Sequence, residues 1–125
     1  MIPAFMTEEA GQLRAEGYTV EVTEAEGWFN VVFSSFSLPP GYSKAVTELL
    51  IKLPLSYPNG TPDMFWVDED VTLKDGGVPG SADAIEPALC KRWRRFSWLP
   101  QNWNPAADNI KTYLEFIYQR VVQST

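Results

Sequence analysis

The sequence predicts an α+β fold: a short N-terminal helix, a four-stranded antiparallel meander, a long irregular segment and a C-terminal helix packed on the sheet. Three observations predict it. Four short runs between residues 18 and 67 carry alternating apolar residues or aromatic and β-branched clusters, with turn residues between them. Residues 110–122 place apolar side chains at three- and four-residue spacing, as one face of a helix requires. Residues 68–102 sustain neither period.

Residues 7–16 hold Ala10 and Leu13 among polar neighbours, which predicts a thinly striped helix capped by Thr7 and stopped by Gly17. Tyr18, Val20 and Val22 then alternate with Thr19, Glu21 and Thr23 as a half-buried strand does, and Glu24-Ala25-Glu26-Gly27 reads as a turn. Trp28-Phe29-Asn30-Val31-Val32-Phe33, continuing to Phe36, is the central strand, ended by Pro39-Pro40-Gly41. The third strand sets Thr47, Leu49, Ile51 and Leu53 on one face against Glu48 and Lys52 on the other. Met64-Phe65-Trp66-Val67 makes a short fourth. Gly76-Gly77-Val78-Pro79-Gly80 marks the irregular excursion that follows, and loops of such length are usually functional or mobile. Ile110, Tyr113, Leu114, Ile117, Val121 and Val122 line the last helix, with Asn104 as the expected cap and Pro105 at the first helical position.

Composition narrows the function classes. A chain of 125 residues with 45% hydrophobic and 21% charged content suits one globular domain, residues 1–125. Cys90 is the single cysteine and histidine is absent, which excludes disulfides within the chain, Cys/His zinc sites and Ser-His-Asp or Cys-His catalytic pairs. No cofactor or metal is expected. The opening Met1-Ile2-Pro3-Ala4-Phe5-Met6 has no charged leader followed by an apolar run, and no stretch reaches membrane-spanning length, so the expected compartment is the cytoplasm. A net charge of −6 repels phosphate backbones and acidic lipid alike, so neither nucleic acid nor membrane is an expected partner. Lys91, Arg92, Arg94 and Arg95 nevertheless gather four of the ten basic residues in one place.

Leu53-Pro54-Leu55-Ser56-Tyr57-Pro58-Asn59-Gly60-Thr61-Pro62-Asp63-Met64-Phe65 resembles the segment that leaves the third strand in ubiquitin-conjugating domains, where a Tyr-Pro pair is followed by further proline. Trp103-Asn104-Pro105-Ala106 is similar to that family's Trp-x-Pro-Ala element, which opens a helix after the active-site loop. A closer resemblance is to the prokaryotic E-type branch. It rests on Leu38-Pro39-Pro40-Gly41-Tyr42, Pro62-Asp63-Met64-Phe65, Gly77-Val78-Pro79, Trp93-Arg94-Arg95-Phe96-Ser97 and Trp103-Asn104-Pro105. The family-motif positions are thus Tyr57, Pro58, Pro62, Trp103 and Pro105. The resemblance implies the ubiquitin-conjugating-like fold and a carrier role in a bacterial ubiquitin-like conjugation pathway. The partners it implies are a ubiquitin-like protein, an activating enzyme and a JAB-type peptidase, in pathways some of which serve phage defence.

The same resemblance implies a cysteine, placed after the fourth strand, that accepts the modifier's C-terminal carbonyl as a thioester and yields it to an amine. Cys90 lies in that region, and the positive charge of Lys91 and Arg92 beside it favours a thiolate. Asn102, Asn104 and Ser97 are candidate donors to the oxyanion. The sequence departs from the family pattern in three ways. Residues 76–83 lack the His-Pro-Asn element of eukaryotic relatives, Cys90 stands farther from the Trp-x-Pro element, and Leu99 occupies the E-type branch's common histidine position. A second reading therefore stands beside the first: a noncatalytic variant of the fold that binds the modifier or a partner as a scaffold.

For partner binding, Lys91, Arg92, Arg94 and Arg95 offer charge to an acidic face, with Trp93 and Phe96 as apolar anchors or, alternatively, as core residues under a solvated loop. Aromatic residues interleaved with arginine also occur in single-strand nucleic-acid binders, a reading that the net acidity opposes. The run Gly76-Gly77-Val78-Pro79-Gly80 has no following Lys-Ser or Lys-Thr, so it does not cradle phosphate, and Asp68, Glu69 and Asp70 read as a solvated acidic turn.

Overall fold

The computed structural model describes residues 2–62, 64–80, 82–97 and 102–124. Its elements run α1 (Ala4–Ala15), β1 (Val20–Ala25), β2 (Trp28–Ser37), β3 (Val46–Pro54), β4 (Phe65–Asp68), β5 (Ala84–Ala88), β6 (Lys91–Phe96) and α2 (Ile110–Gln123). The strands form one antiparallel sheet in the order β1-β2-β3-β4-β6-β5.

The expected meander is β1 to β4. Facing residues in an antiparallel pair share a side of the sheet, so the register Val22↔Val31, Val31↔Ile51 and Ile51↔Phe65 aligns the alternating apolar positions into one row. Phe96 extends that row on β6 and stacks on Phe65 at 4.8 Å between ring centroids. This inner face meets Met6, Ala10 and Leu13 of α1 and Ile117 and Val121 of α2 in the main core. On the outer face Leu50, Trp66, Ala88 and Trp93 form a second buried cluster.

Three expectations need correction. Among the described residues the sheet has six strands rather than four, because residues 68–102 are not irregular throughout: β5 and β6 make a hairpin that pairs with β4. Period two is hidden in Lys91-Arg92-Trp93-Arg94-Arg95-Phe96 because cationic residues occupy both faces. Pro87 masks β5, where a missing N–H costs nothing at the open edge of the sheet. The stretch before β5 is held by backbone bonds from Ser43 N to Thr72 O (2.8 Å) and from Lys74 N to Gly41 O (2.9 Å).

Both helix starts also differ from the expected ones. Helix α1 begins at Ala4 after Pro3, so Thr7 lies inside it and donates to the Pro3 carbonyl instead of capping. The stripe gains Met6 and becomes Met6, Ala10, Leu13 at four- and three-residue spacing. Helix α2 begins at Ile110, where Asn109 and Thr112 make a reciprocal capping box. Asn104 and Pro105 fall in a separate turn before it, in which the Asn104 side chain accepts from Ala106 N at 3.0 Å.

Candidate functional site

Leu89 and Cys90 are the two turn residues of the β5–β6 hairpin, between the facing pair Ala88 and Lys91. Two-residue hairpins favour turns with positive φ because their twist matches that of the strands. Leu89 and Cys90 accordingly have φ 49° and 64°. Left-handed backbone costs a residue with a Cβ roughly 1–2 kcal/mol, so the packing around the tip must hold it. Leu89 packs on the outer cluster, and Trp93 donates its indole N–H to the Ala88 carbonyl at 2.9 Å. Cys90 itself is exposed. It shares a shallow groove with Glu26, Pro87, Lys91 and Arg92.

The basic cluster is tied down. Lys91 reaches Glu48 Oε1 and Asp68 Oδ1, each at 2.7 Å, and lies 4.1 Å above the Trp93 ring. Lys44 joins Asp68 at 3.0 Å and Asp70 at 3.1 Å. Burial opposes charge on Asp68, but hydrogen bonds from Lys91, Lys44 and the Glu48 amide outweigh it and hold the carboxyl below its ordinary range. Burial likewise opposes charge on Lys91 and Lys44, and their carboxylate partners prevail, raising both. Arg92 approaches Glu69 at 3.4 Å, and Arg95 bonds Glu86 at 2.7 Å. Glu86 also accepts from the Trp66 indole at 3.0 Å. Arg94 turns inward to the carbonyls of Ala82 and Glu69.

The expected basic surface is therefore corrected: of Lys91, Arg92, Trp93, Arg94, Arg95 and Phe96, Arg92 alone has a mostly exposed side chain, at 67%. Trp93 and Phe96 are 2% and 0% exposed and belong to the core, so they present no anchor to a partner. The cause is the register. Asp68 faces Trp93 across β4–β6, which puts the carboxylate beside Lys91 on the outer face.

The structure brings three of the family-motif residues, Tyr57, Pro58 and Trp103, together near the start of α2. Trp103 donates its indole N–H to the Pro58 carbonyl at 2.9 Å, and its ring lies 6.2 Å from that of Tyr57. The Tyr57 hydroxyl donates to the Glu9 carboxylate at 3.0 and 3.1 Å, and Glu9 Oε1 also accepts from Ile110 N. Burial, reinforced by the Glu9 charge, pushes the Tyr57 phenol far above its ordinary range. Pro62 is buried and Pro105 exposed. Glu9 had no signal in the sequence, since it acts on a helix start 101 positions away. Asn102 and Asn104 are exposed, and neither lines the groove around Cys90. Asp63 and Leu99 lie outside the described residues.

Among the described residues no cluster of His, Cys, Asp and Glu is placed to hold a metal ion, and no helix is long and apolar enough to cross a membrane. Residues 6–124 match the family model described as Prokaryotic E2 family E. No curated protein and no solved structure gives a significant match. The N-terminal helix, antiparallel sheet and C-terminal helix are consistent with a ubiquitin-conjugating-like fold, with six strands among the described residues.

Proposed function

The chain belongs to prokaryotic E2 family E, and from that premise we propose that it carries a ubiquitin-like protein in a bacterial conjugation pathway, with Cys90 as the acceptor. E2 families in general work with a ubiquitin-like protein and its activating enzyme. In the proposed cycle the Cys90 sulfur attacks the modifier's C-terminal carbonyl, held as a thioester on the activating enzyme, and the enzyme's thiol leaves with a proton. A target amine then attacks the new thioester, a C–N bond forms and the Cys90 thiol is regenerated.

One observation carries this reading: the chain's single sulfhydryl stands exposed at a hairpin tip, beside a groove open to an extended C-terminal tail. Arg92, exposed and lining the same groove, would donate to the oxyanion by turning from its 3.4 Å contact with Glu69. The setting we propose is cytoplasmic, with a JAB-type peptidase in the same pathway and a role in phage defence.

The scaffold reading has its own support. Asn102 and Asn104 do not line the Cys90 groove, and Lys91 is committed to Glu48 and Asp68. Incubating the chain with its activating enzyme, the modifier and ATP, followed by a nonreducing gel, separates the two readings. The carrier reading predicts a thiol-sensitive adduct that disappears in Cys90→Ala. An adduct that persists in Cys90→Ala refutes the assignment of the site, and modifier binding without any adduct supports the scaffold.

A further inference from the structure

Strand β2 outruns its neighbour. The β1–β2 ladder ends at Val20↔Phe33, followed by a bond from Ser34 N to Thr19 O (3.0 Å), and the chain then departs toward α1 through Tyr18 N to Leu13 O. On the other side β2 continues against β3 through Phe36↔Thr47 and Ser37↔Val46, after a bulge between Phe33 and Phe36. Residues 35–37 therefore lie in a paired strand with no strand on their β1 side, and Ser35 and Ser37 are exposed. Such an edge is a template for main-chain pairing.

A groove of about 370 Å³ runs along this edge. Phe36, Leu114, Tyr18 and Tyr118 give it apolar walls, and Tyr18 and Tyr118 remain 38% and 40% exposed. Lys111 and Glu115 stand on its rim. Lys111 is committed to Glu16, whereas Glu115 is exposed and, among the described residues, has no ion-pair partner. The groove shares no residue with the one beside Cys90.

We propose that the open edge of β2 at residues 35–37, together with the adjoining groove under α2, binds an extended peptide segment of a partner protein by strand addition. The unpaired edge selects extended backbone, the apolar walls select an aliphatic side chain on it, and Glu115 selects a flanking lysine or arginine. This site stands whether or not Cys90 carries a modifier.

The test uses the full chain, isotope-labelled for amide NMR, and a capped heptapeptide of alternating valine and threonine with one arginine. Two forms of the peptide are N-methylated on alternate amides, one on each of its two edges. Strand addition predicts saturable shifts at Ser35, Phe36, Ser37 and Tyr18 with one N-methylated form and not with the other. Glu115→Lys, a surface change that leaves the fold intact, weakens binding roughly fivefold. Equal binding of both N-methylated forms, or shifts that bypass residues 35–37, overturns the proposal. Sedimentation of the peptide-free chain supplies a further arm, because a dimer whose residues 35–37 shift with protein concentration would overturn the assignment to a partner protein by showing that a second copy fills the edge.

Discussion

The two tight hairpins of this sheet solve the same geometric problem with different residues. The β1–β2 turn uses Glu26 and Gly27 at φ 57° and 83°, and the β5–β6 turn uses Leu89 and Cys90 at 49° and 64°. Glycine takes positive φ without steric cost, so the first turn sets one residue with a Cβ, Glu26, in that region, and the buried Asn30 side chain braces it by donating to the Ala25 and Trp28 carbonyls. The second pairs two residues with Cβ atoms in the same region and is held from outside by Leu89 on the outer cluster and by the Trp93 indole on Ala88. A thiol is thus fixed in a defined, solvent-facing position by packing beneath it, at a local conformational cost that a glycine would remove. Strain retained at an exposed thiol motivates the functional assignment proposed for this tip.

Removing the support should break the contrast most severely. Trp93→Ala empties a buried site and deletes the indole bond, and is expected to destabilise the fold by about 3–5 kcal/mol, read from the urea midpoint. Trp28→Ala, beside the first hairpin and 38% exposed, should cost well under half of that. Comparable losses would show that the second tip depends no more on the packing beneath it than the first.

A gentler pair of changes acts on the two turn residues themselves. Cys90→Gly should stabilise the chain by about 1 kcal/mol, and Gly27→Ala should destabilise it by a similar amount, because the two reverse each other's conformational effect. Thermal midpoints that move in the same direction would contradict the turn assignment.

The smallest expected effect concerns acid. The Asp68 carboxyl is held below its ordinary value of 3.8, so its contribution is present above that pH and is lost as pH falls through the lower folded value. Lys91 and Lys44 are raised above 10.5, so theirs is present below that pH and is lost as pH rises through the higher folded value. Asp68→Asn should flatten the acid limb of a stability–pH profile. An unchanged acid limb would show that the carboxylate network does not brace β6.

Local periodicity made the β1–β4 meander and the buried face of α2 legible, because alternating side chains have one dominant use in a half-buried strand. The β5–β6 hairpin was not legible. Lys91, Arg92, Arg94 and Arg95 read as solvated charge, yet three of them are drawn to Glu48, Asp68, Glu69 and Glu86, and Arg94 to backbone carbonyls. Glu48 and Asp68 lie 43 and 23 positions before Lys91, beyond any local window, and Glu86, nine before Arg95, meets it only across the hairpin. Cys90 was identifiable by its singularity, but its exposure at a turn follows from the hairpin. Asn104 reads as the cap of α2 because it and Asn109 offer the same local chemistry, and what selects Asn109 is the Glu9 carboxylate on Ile110 N joined to the reciprocal Thr112 bond.

Intact-mass analysis of Cys90→Ser, charged in parallel with the native chain, tests the carrier claim most directly. The native adduct is expected to equal the modifier less one water and to be cleaved by thiol, whereas Cys90→Ser retains an ester that resists thiol and yields to alkali. An adduct of the same mass and chemistry on both chains, mapped to a peptide without residue 90, would contradict it.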